Sequence, residues 1–463
     1  MNLSSQKRFV RALKAILTLF YPFNFKNKNA MKLWQKTGTN TNEAVEKFTV
    51  GNDKVFDTLL AKYDIMGSLA HVKMLGQIGL MTKDETEIAI NGLKELLEIV
   101  EQDKFIIEEG IEDVHSQVEY MLVQKIGDAG KKIHSGRSRN DQVAVDIKLY
   151  LRAQIIELRE SVQTLFNLLI TQSEKYKNYS LPGYTHLQLA MPSSFGLWFG
   201  AYAEALIDDM EILLAAYNVV NKNPLGSGAG YGSTFPLNRS VTTSELGFKT
   251  MNYNSVYAQM TRGKAERTTA TALSVFAFTL GKLAMDCCLY MNQNFGFITF
   301  PDHLTTGSSI MPHKKNPDVF ELIRGKCNRI QALPNEFALL MSNLPSGYHR
   351  EMQLTKEMLF PAIEELKACT TMTILMLENI KIKENILADE KYTLLFTVDS
   401  VNELVKQGVS FRDAYKIVGD QVNLGTYQKP SMDTDDSIAH EGSINRLCTE
   451  EIVDEMAKVM GRF

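Results

Sequence analysis

The chain has 463 residues, 44% of them hydrophobic, enough to bury a large core spread over two to four domains. A formal net charge of −4 and a pI near 6.1 speak against a general nucleic-acid binder. Five cysteines, none in a Cys-x-x-Cys pair, argue against a disulfide framework or a zinc site and point to a reducing cytoplasm.

The first 30 residues stand apart, with Lys7, Arg8, Arg11, Lys14, Lys26 and Lys28, no acidic residue, and an apolar run from Ala15 to Phe20. They read either as a membrane-surface or targeting helix or as a disordered extension ahead of an enzyme that starts near Met31. No small-residue cleavage site follows the apolar run, which favours the extension. Without these six positive charges the body of the chain is distinctly acidic. No stretch approaches the roughly 18 uninterrupted apolar residues of a membrane-spanning helix.

Beyond this segment the pattern is helical. No proline lies between Pro22 and Pro182, between Pro236 and Pro301, or between Pro361 and Pro430. Long helices need such gaps, because an internal proline costs about 3 kcal/mol. Ile65, Leu69, Val72, Leu75 and Ile78 form one apolar stripe, and Ile147, Leu151, Ile155, Leu158, Val162, Leu165 and Leu169 form a longer one. Alternating strand-like runs are scarce. The expected fold is all-α: an N-terminal helical domain over 31–140, a central bundle of long helices over 141–390, and a small helical domain over 391–463.

Four turns interrupt the helices, at Ser135–Asn140, Leu181–Gln188, Pro224–Gly232 and Thr305–Pro317, and loops on a rigid scaffold are where chemistry concentrates. His134-Ser-Gly-Arg-Ser-Arg-Asn-Asp-Gln142 opens the long helix beginning near Asp141. Its basic and amide groups at a helix N-terminus suit an anion, and Asn140 or Asp141 would equally serve as an N-cap. Gly183-Tyr-Thr-His-Leu-Gln188 places His186 in a turn after Pro182, where a lone histidine is as readily structural as catalytic. Gly226-Ser-Gly-Ala-Gly-Tyr-Gly232 looks superficially like a dinucleotide loop, but no strand is expected before it, so NAD binding is discounted. Cys287 and Cys288, inside an apolar run, are expected to be buried packing residues. Thr306-Gly-Ser-Ser-Ile-Met-Pro-His-Lys-Lys-Asn-Pro317 is either a solvated turn or a mobile loop closing over carboxylates with hydroxyl, N–H and ammonium groups.

Taken together, these loops resemble the fumarase/aspartase superfamily, whose members eliminate fumarate from succinyl compounds. Gly307 to Pro317 is similar to its signature. Within the superfamily, His134–Gln142, Gly183–Gln188 and Glu321-Leu-Ile-Arg-Gly-Lys326 resemble the argininosuccinate lyase and delta-crystallin family, and Lys32-Leu-Trp34 and Tyr63–His71 extend the match. It covers roughly residues 31 to 430. The resemblance implies a three-domain helical subunit and a homotetramer whose active sites draw loops from three subunits. It further implies elimination of argininosuccinate to L-arginine and fumarate, the last step of arginine biosynthesis, with no metal or organic cofactor.

Carried over by position, the resemblance makes Ser308 the general base. Lys314 and Asn316 would hold the substrate carboxylate and the developing carbanion, His186 would supply or position the acid, and Glu321 would pair with that histidine. Ser138, Arg139, Asn140 and Thr185 would bind the succinyl part, and Tyr348, Gln353 and Lys356 the arginine part. Three departures stand out. His313 occupies a place where most argininosuccinate lyases have glutamine and adenylosuccinate lyases often have histidine, the stretch Gln259-Met-Thr-Arg-Gly-Lys-Ala-Glu266 differs from the more acidic segment usual there, and the segment Thr49 to Asp57 aligns poorly. Adenylosuccinate lyase and a non-catalytic delta-crystallin-like relative are the alternatives.

The chemistry explains the residue types. Removing a proton beside a carboxylate creates an aci-carboxylate with two negative charges, so aimed donors supply the main stabilisation. A serine is a poor base unless its alkoxide is stabilised. The substrate guanidinium, already protonated, can leave as neutral guanidine.

Overall fold

The computed structural model describes residues 43–430 and 440–463; the basic segment 1–30 and the Lys32–Trp34 motif lie outside them. The proline-poor, striped segments form helices as expected. The principal ones are α1 (Ala61–Gln77), α2 (Lys83–Glu101), α3 (Val114–Ile126), α4 (Arg139–Lys175), α5 (Phe195–Val220), α6 (Lys264–Met291), α7 (Asp318–Ile330), α8 (Thr355–Glu378), α9 (Thr397–Lys406), α10 (Phe411–Asn423) and α11 (Thr449–Met460). The chain forms two compact units, each discontinuous in sequence.

The first unit takes the described residues up to Ala153 together with 218–268 and 335–361. Of its stripe on α1, Ile65, Val72 and Leu75 are fully enclosed, while Leu69 and the C-cap residue Ile78 are partly buried. Helix α2 starts at a capping box: Thr82 Oγ1 accepts the Glu85 N–H at 3.2 Å, and Glu85 Oε2 accepts the Thr82 N–H at 3.0 Å. Gly92 lets α2 approach α3 closely, since a Cβ there would stand 2.8 Å from Leu122. Val145 and Leu149 at the start of α4 pack with Ala70, Leu225, Leu246 and Phe248.

The second unit takes 154–217, 269–334 and the described residues from Ala362 onward. Along α4 the predicted stripe is its core, with Ile155, Leu158, Val162, Leu165 and Leu169 all at most 1% exposed. Trp198 Nε1 and Tyr202 Oη from α5 both donate to Asp286 of α6, at 3.0 and 2.6 Å. Cys287 is buried as expected, whereas Cys288 is only partly covered, and all five cysteines are free thiols.

Three expectations are corrected. The segment read as a turn over Leu181–Gln188 is a hairpin of β1 (Ser180–Thr185) and β2 (Gln188–Ser194), antiparallel with a register shift between Pro182 and Tyr184. Period-2 patterning is weak here because one strand carries a proline and a glycine, and Gly183 is needed where a Cβ would meet the Met191 carbonyl at 2.6 Å. A two-residue strand, Lys222–Asn223, does precede the glycine-rich stretch, pairing in parallel with Thr250–Met251. Third, α8 runs through Pro361, which lies inside the helix and removes one of its i→i−4 hydrogen bonds.

Candidate active site

The expected site residues divide between the units. Ser138, Arg139, Asn140, Tyr348, Gln353 and Lys356 belong to the first, and Thr185, His186, Ser308, Lys314, Asn316 and Glu321 to the second.

In the first unit, α4 begins at Arg139 and Ser138 is its N-cap, rather than Asn140 or Asp141. Ser138 Oγ accepts the Asn140 N–H at 3.3 Å, and Asp141 Oδ1 accepts the Ser138 N–H at 2.7 Å, so side chains on both sides satisfy the first N–H groups of the helix. The other Asp141 oxygen accepts the N–H groups of Gly226 and Gly228, each at 2.9 Å. Burial raises the Asp141 carboxyl to about 6, against these bonds and the charge of Arg137. Arg139 donates to Asp113 at 2.8 Å and to Ser116 Oγ at 2.6 Å, so its guanidinium is aimed by the N-terminus of α3.

Beneath this turn lies a buried polar stripe that sequence reasoning missed. Asp64, Ser68 and His71 recur at i, i+4 and i+7 on α1 and are 0–1% exposed. His71 donates through Nε2 to the Ser135 carbonyl at 2.8 Å, and Ser68 Oγ accepts from Arg137 at 3.0 Å. Burial, aided by Arg137, lowers His71 to about 3, so it is neutral. His115 stands 2.7 Å from Asp64 and 3.5 Å from Asp146. Burial alone would lower it, but Asp64, Asp113 and Asp146 outweigh that and raise it to about 9. The signal was available: polar residues at helical spacing inside an otherwise buried helix require partners.

Asp64, His115 and Asp146 offer ligand atoms within 4.8 Å of one another, the spacing of a metal site. Burial and the neighbouring Asp64 push the Asp146 carboxyl well above the usual carboxylate range, and His115 is protonated beside Asp64, so the cluster holds protons where a metal would need free lone pairs. The cluster therefore fits a closed charge network better than a cation site.

The turn over 348–356 differs from expectation in what it holds. Lys356 is 3% exposed and lies 2.5 Å from both Asp53 and Asp57. Gln353 donates to the carbonyls of Thr49 and Val50 at 3.0 and 3.2 Å, and Arg350 to that of Thr49 at 3.0 Å. Two residues expected to bind the arginine part thus also grip the segment 49–57, which aligns poorly with the family. Asp53 is raised to about 6 by burial and by the charge of Asp57, despite Lys356.

In the second unit, Thr185 and His186 sit at the tip of the hairpin and both are exposed. His186 and Leu187 have φ values of 54° and 59°, the left-handed region at both central positions of a two-residue turn. Such turns ordinarily use Asn-Gly; a histidine and a leucine there are strained, and strain of this kind clusters at functional sites. The loop 305–317 is closed at its base by Asn316, whose N–H donates to the Thr306 carbonyl at 2.8 Å and whose side-chain amide donates to the Gly307 carbonyl at 3.3 Å. Ser308 Oγ accepts the N–H groups of Ile310 and Met311, at 3.4 and 3.1 Å. Lys314 and Glu321 are exposed, and among the described residues no hydrogen bond joins Glu321 to His186.

Residues 34–332 match the model of a family described as lyase. The argininosuccinate lyase of Bacteroides thetaiotaomicron is 56% identical over 434 residues, covering 94% of this chain and 96% of that protein. That of Parabacteroides distasonis gives the same identity and coverage. Among solved structures, an EDDS lyase variant with bound fumarate superposes with a TM-score of 0.73 over 92% of this chain and 91% of that one, at 21% identity, which speaks for the fold alone. The chain belongs to the lyase family and, within it, to the argininosuccinate lyases.

Proposed function

We propose that this chain eliminates fumarate from argininosuccinate and releases L-arginine. The observation that carries the mechanism is the seat of Ser308: its oxygen already receives two backbone N–H groups from a glycine-led loop. Donors of this kind lower the cost of the alkoxide, which is what a serine base needs. Ser308 takes the proton from the carbon beside the carboxylate. The resulting dianionic aci-carboxylate is held by Lys314 and Asn316 of the same loop, with Arg139 on the succinyl side. The carbanion pair then forms the double bond of fumarate while the C–N bond breaks toward nitrogen. The guanidinium leaves as guanidine and is reprotonated afterwards, so His186 orients the leaving nitrogen or a water rather than supplying strong acid catalysis. Ser138, Asn140 and Thr185 complete the succinyl side, and Tyr348, Gln353 and Lys356 the arginine side.

The assembly we infer is a homotetramer with each site drawn from three subunits. It is supported by the exposure of Thr185, His186, Lys314 and Glu321, and by exposed apolar residues beside them, Leu187 at 76% and Ile310 at 83%. Five free thiols suit the reducing cytoplasm. Mixing His186→Asn with Ser308→Ala protein tests the sharing: restored fumarate release supports sites built across subunits, and no recovery in a mixed tetramer contradicts them. The elimination itself is tested by fumarate release from argininosuccinate against adenylosuccinate.

A further inference from the structure

None of the groups placed in the elimination belongs to the glycine-rich stretch 226–232, yet it is firmly fixed. Gly226, Gly228, Gly230 and Gly232 all have positive φ, and a Cβ at Gly228 would stand 2.8 Å from the Gly232 carbonyl oxygen. The Ser227 carbonyl accepts the N–H groups of both Gly230 and Gly232. Asp141 ties the start of the stretch to Ser138. Beyond it, Leu237 lies where a Cβ on Gly136 would be 2.8 Å away, so the chain runs alongside the Ser138 turn.

Near its other end stands Tyr231. Its hydroxyl lies 3.8 Å from where a Cβ on Gly347 would be, beside Tyr348. The side chain is 76% exposed, and among the described residues its hydroxyl has no hydrogen-bond partner. A rigid loop thus carries an unengaged phenol from the turn assigned to the succinyl part to the turn assigned to the arginine part. Tyrosine offers a large, stiff ring and a polar tip, which suits a planar cation with N–H donors.

We propose that Tyr231 is a specificity-determining residue that contacts the guanidino-acid half of the substrate, its hydroxyl accepting an N–H and its ring flanking the guanidinium. The proposal rests on the arginine-releasing reading above. Binding of L-arginine and of fumarate to the full-length protein, each measured by titration calorimetry, tests it without relying on turnover. Tyr231→Ala is expected to weaken arginine binding about tenfold and Tyr231→Phe about threefold, with fumarate affinity unchanged. Arginine affinity within twofold of wild type in Tyr231→Ala overturns the proposal. So does an equal loss for both ligands, or a changed sedimentation coefficient, either of which makes Tyr231 a packing or subunit-contact residue. Wild-type protein that binds arginine but releases no fumarate from argininosuccinate sinks the elimination alone; wild-type protein that binds no arginine sinks both.

Discussion

The N–H of Ser138 donates to one oxygen of Asp141, and the second oxygen of that carboxylate holds Gly226 and Gly228. One buried carboxylate thereby sets two loops at once. Asparagine can present only one accepting atom, so Asp141→Asn leaves at least one buried N–H unsatisfied. The expected loss is about 1–3 kcal/mol of stability, with kcat/KM for argininosuccinate falling as well. Thermal unfolding and fumarate release measure the two effects, and a variant with wild-type melting would contradict the clamp.

Lys356 pairs with both Asp53 and Asp57, at 2.5 Å from each. Lys356→Met leaves two largely buried carboxylates without their cation. Breaking a buried pair in this way costs about 3–5 kcal/mol. Adding Asp57→Asn should restore part of that loss, because it removes one of the stranded charges. A double-mutant cycle by chemical denaturation reads the coupling, and strictly additive effects would rule the pairing out as a source of stability.

His115 and His71 make opposite contributions to the pH dependence of stability. The folded-state pKa of His115 is raised, to about 9, so its contribution is fully present below the ordinary histidine value of 6.5 and is lost as pH rises toward 9. His71 is lowered, to about 3, so its contribution is present above 6.5 and is lost as pH falls toward 3. Melting of wild type against His115→Gln should therefore converge between pH 6.5 and 9. The gap between wild type and His71→Gln should close on the acid side instead. Parallel curves for either variant would show that the charge network does not hold these protonation states.

The hairpin tip allows a clean test of His186. Asparagine tolerates the left-handed backbone, so His186→Asn keeps the turn and removes only the imidazole. If the histidine only orients the leaving nitrogen or a water, turnover should fall by less than about 10²-fold, below the range usual for a proton-transferring group. A loss of about 10²–10⁴-fold or more would point to proton donation by His186 instead.

Much of this was legible in the sequence for simple reasons. The α4 stripe from Ile147 to Leu169 has one period and no proline, and every one of its residues is buried. The loop signature around Ser308 carries its own chemistry in its residue types. What was not legible depends on long-range pairing. Asp64, Ser68 and His71 read as breaks in an apolar pattern until the turn at Ser135–Arg137 is folded against them. Asp53 and Asp57 lie about 300 positions from Lys356, and no local pattern announces that contact. The hairpin at 180–194 was hidden because Pro182 and Gly183 are turn formers placed inside a strand, where a register shift accommodates them.

The most direct test is fumarate absorbance when the full-length protein is mixed with argininosuccinate, with adenylosuccinate and Ser308→Ala in parallel. Release from argininosuccinate alone, lowered by about 10²–10⁴-fold in the variant with KM little changed, is the expected result. Release from adenylosuccinate instead would mean that His313 reports the true substrate. Undiminished release by Ser308→Ala would contradict the serine base at the centre of the mechanism.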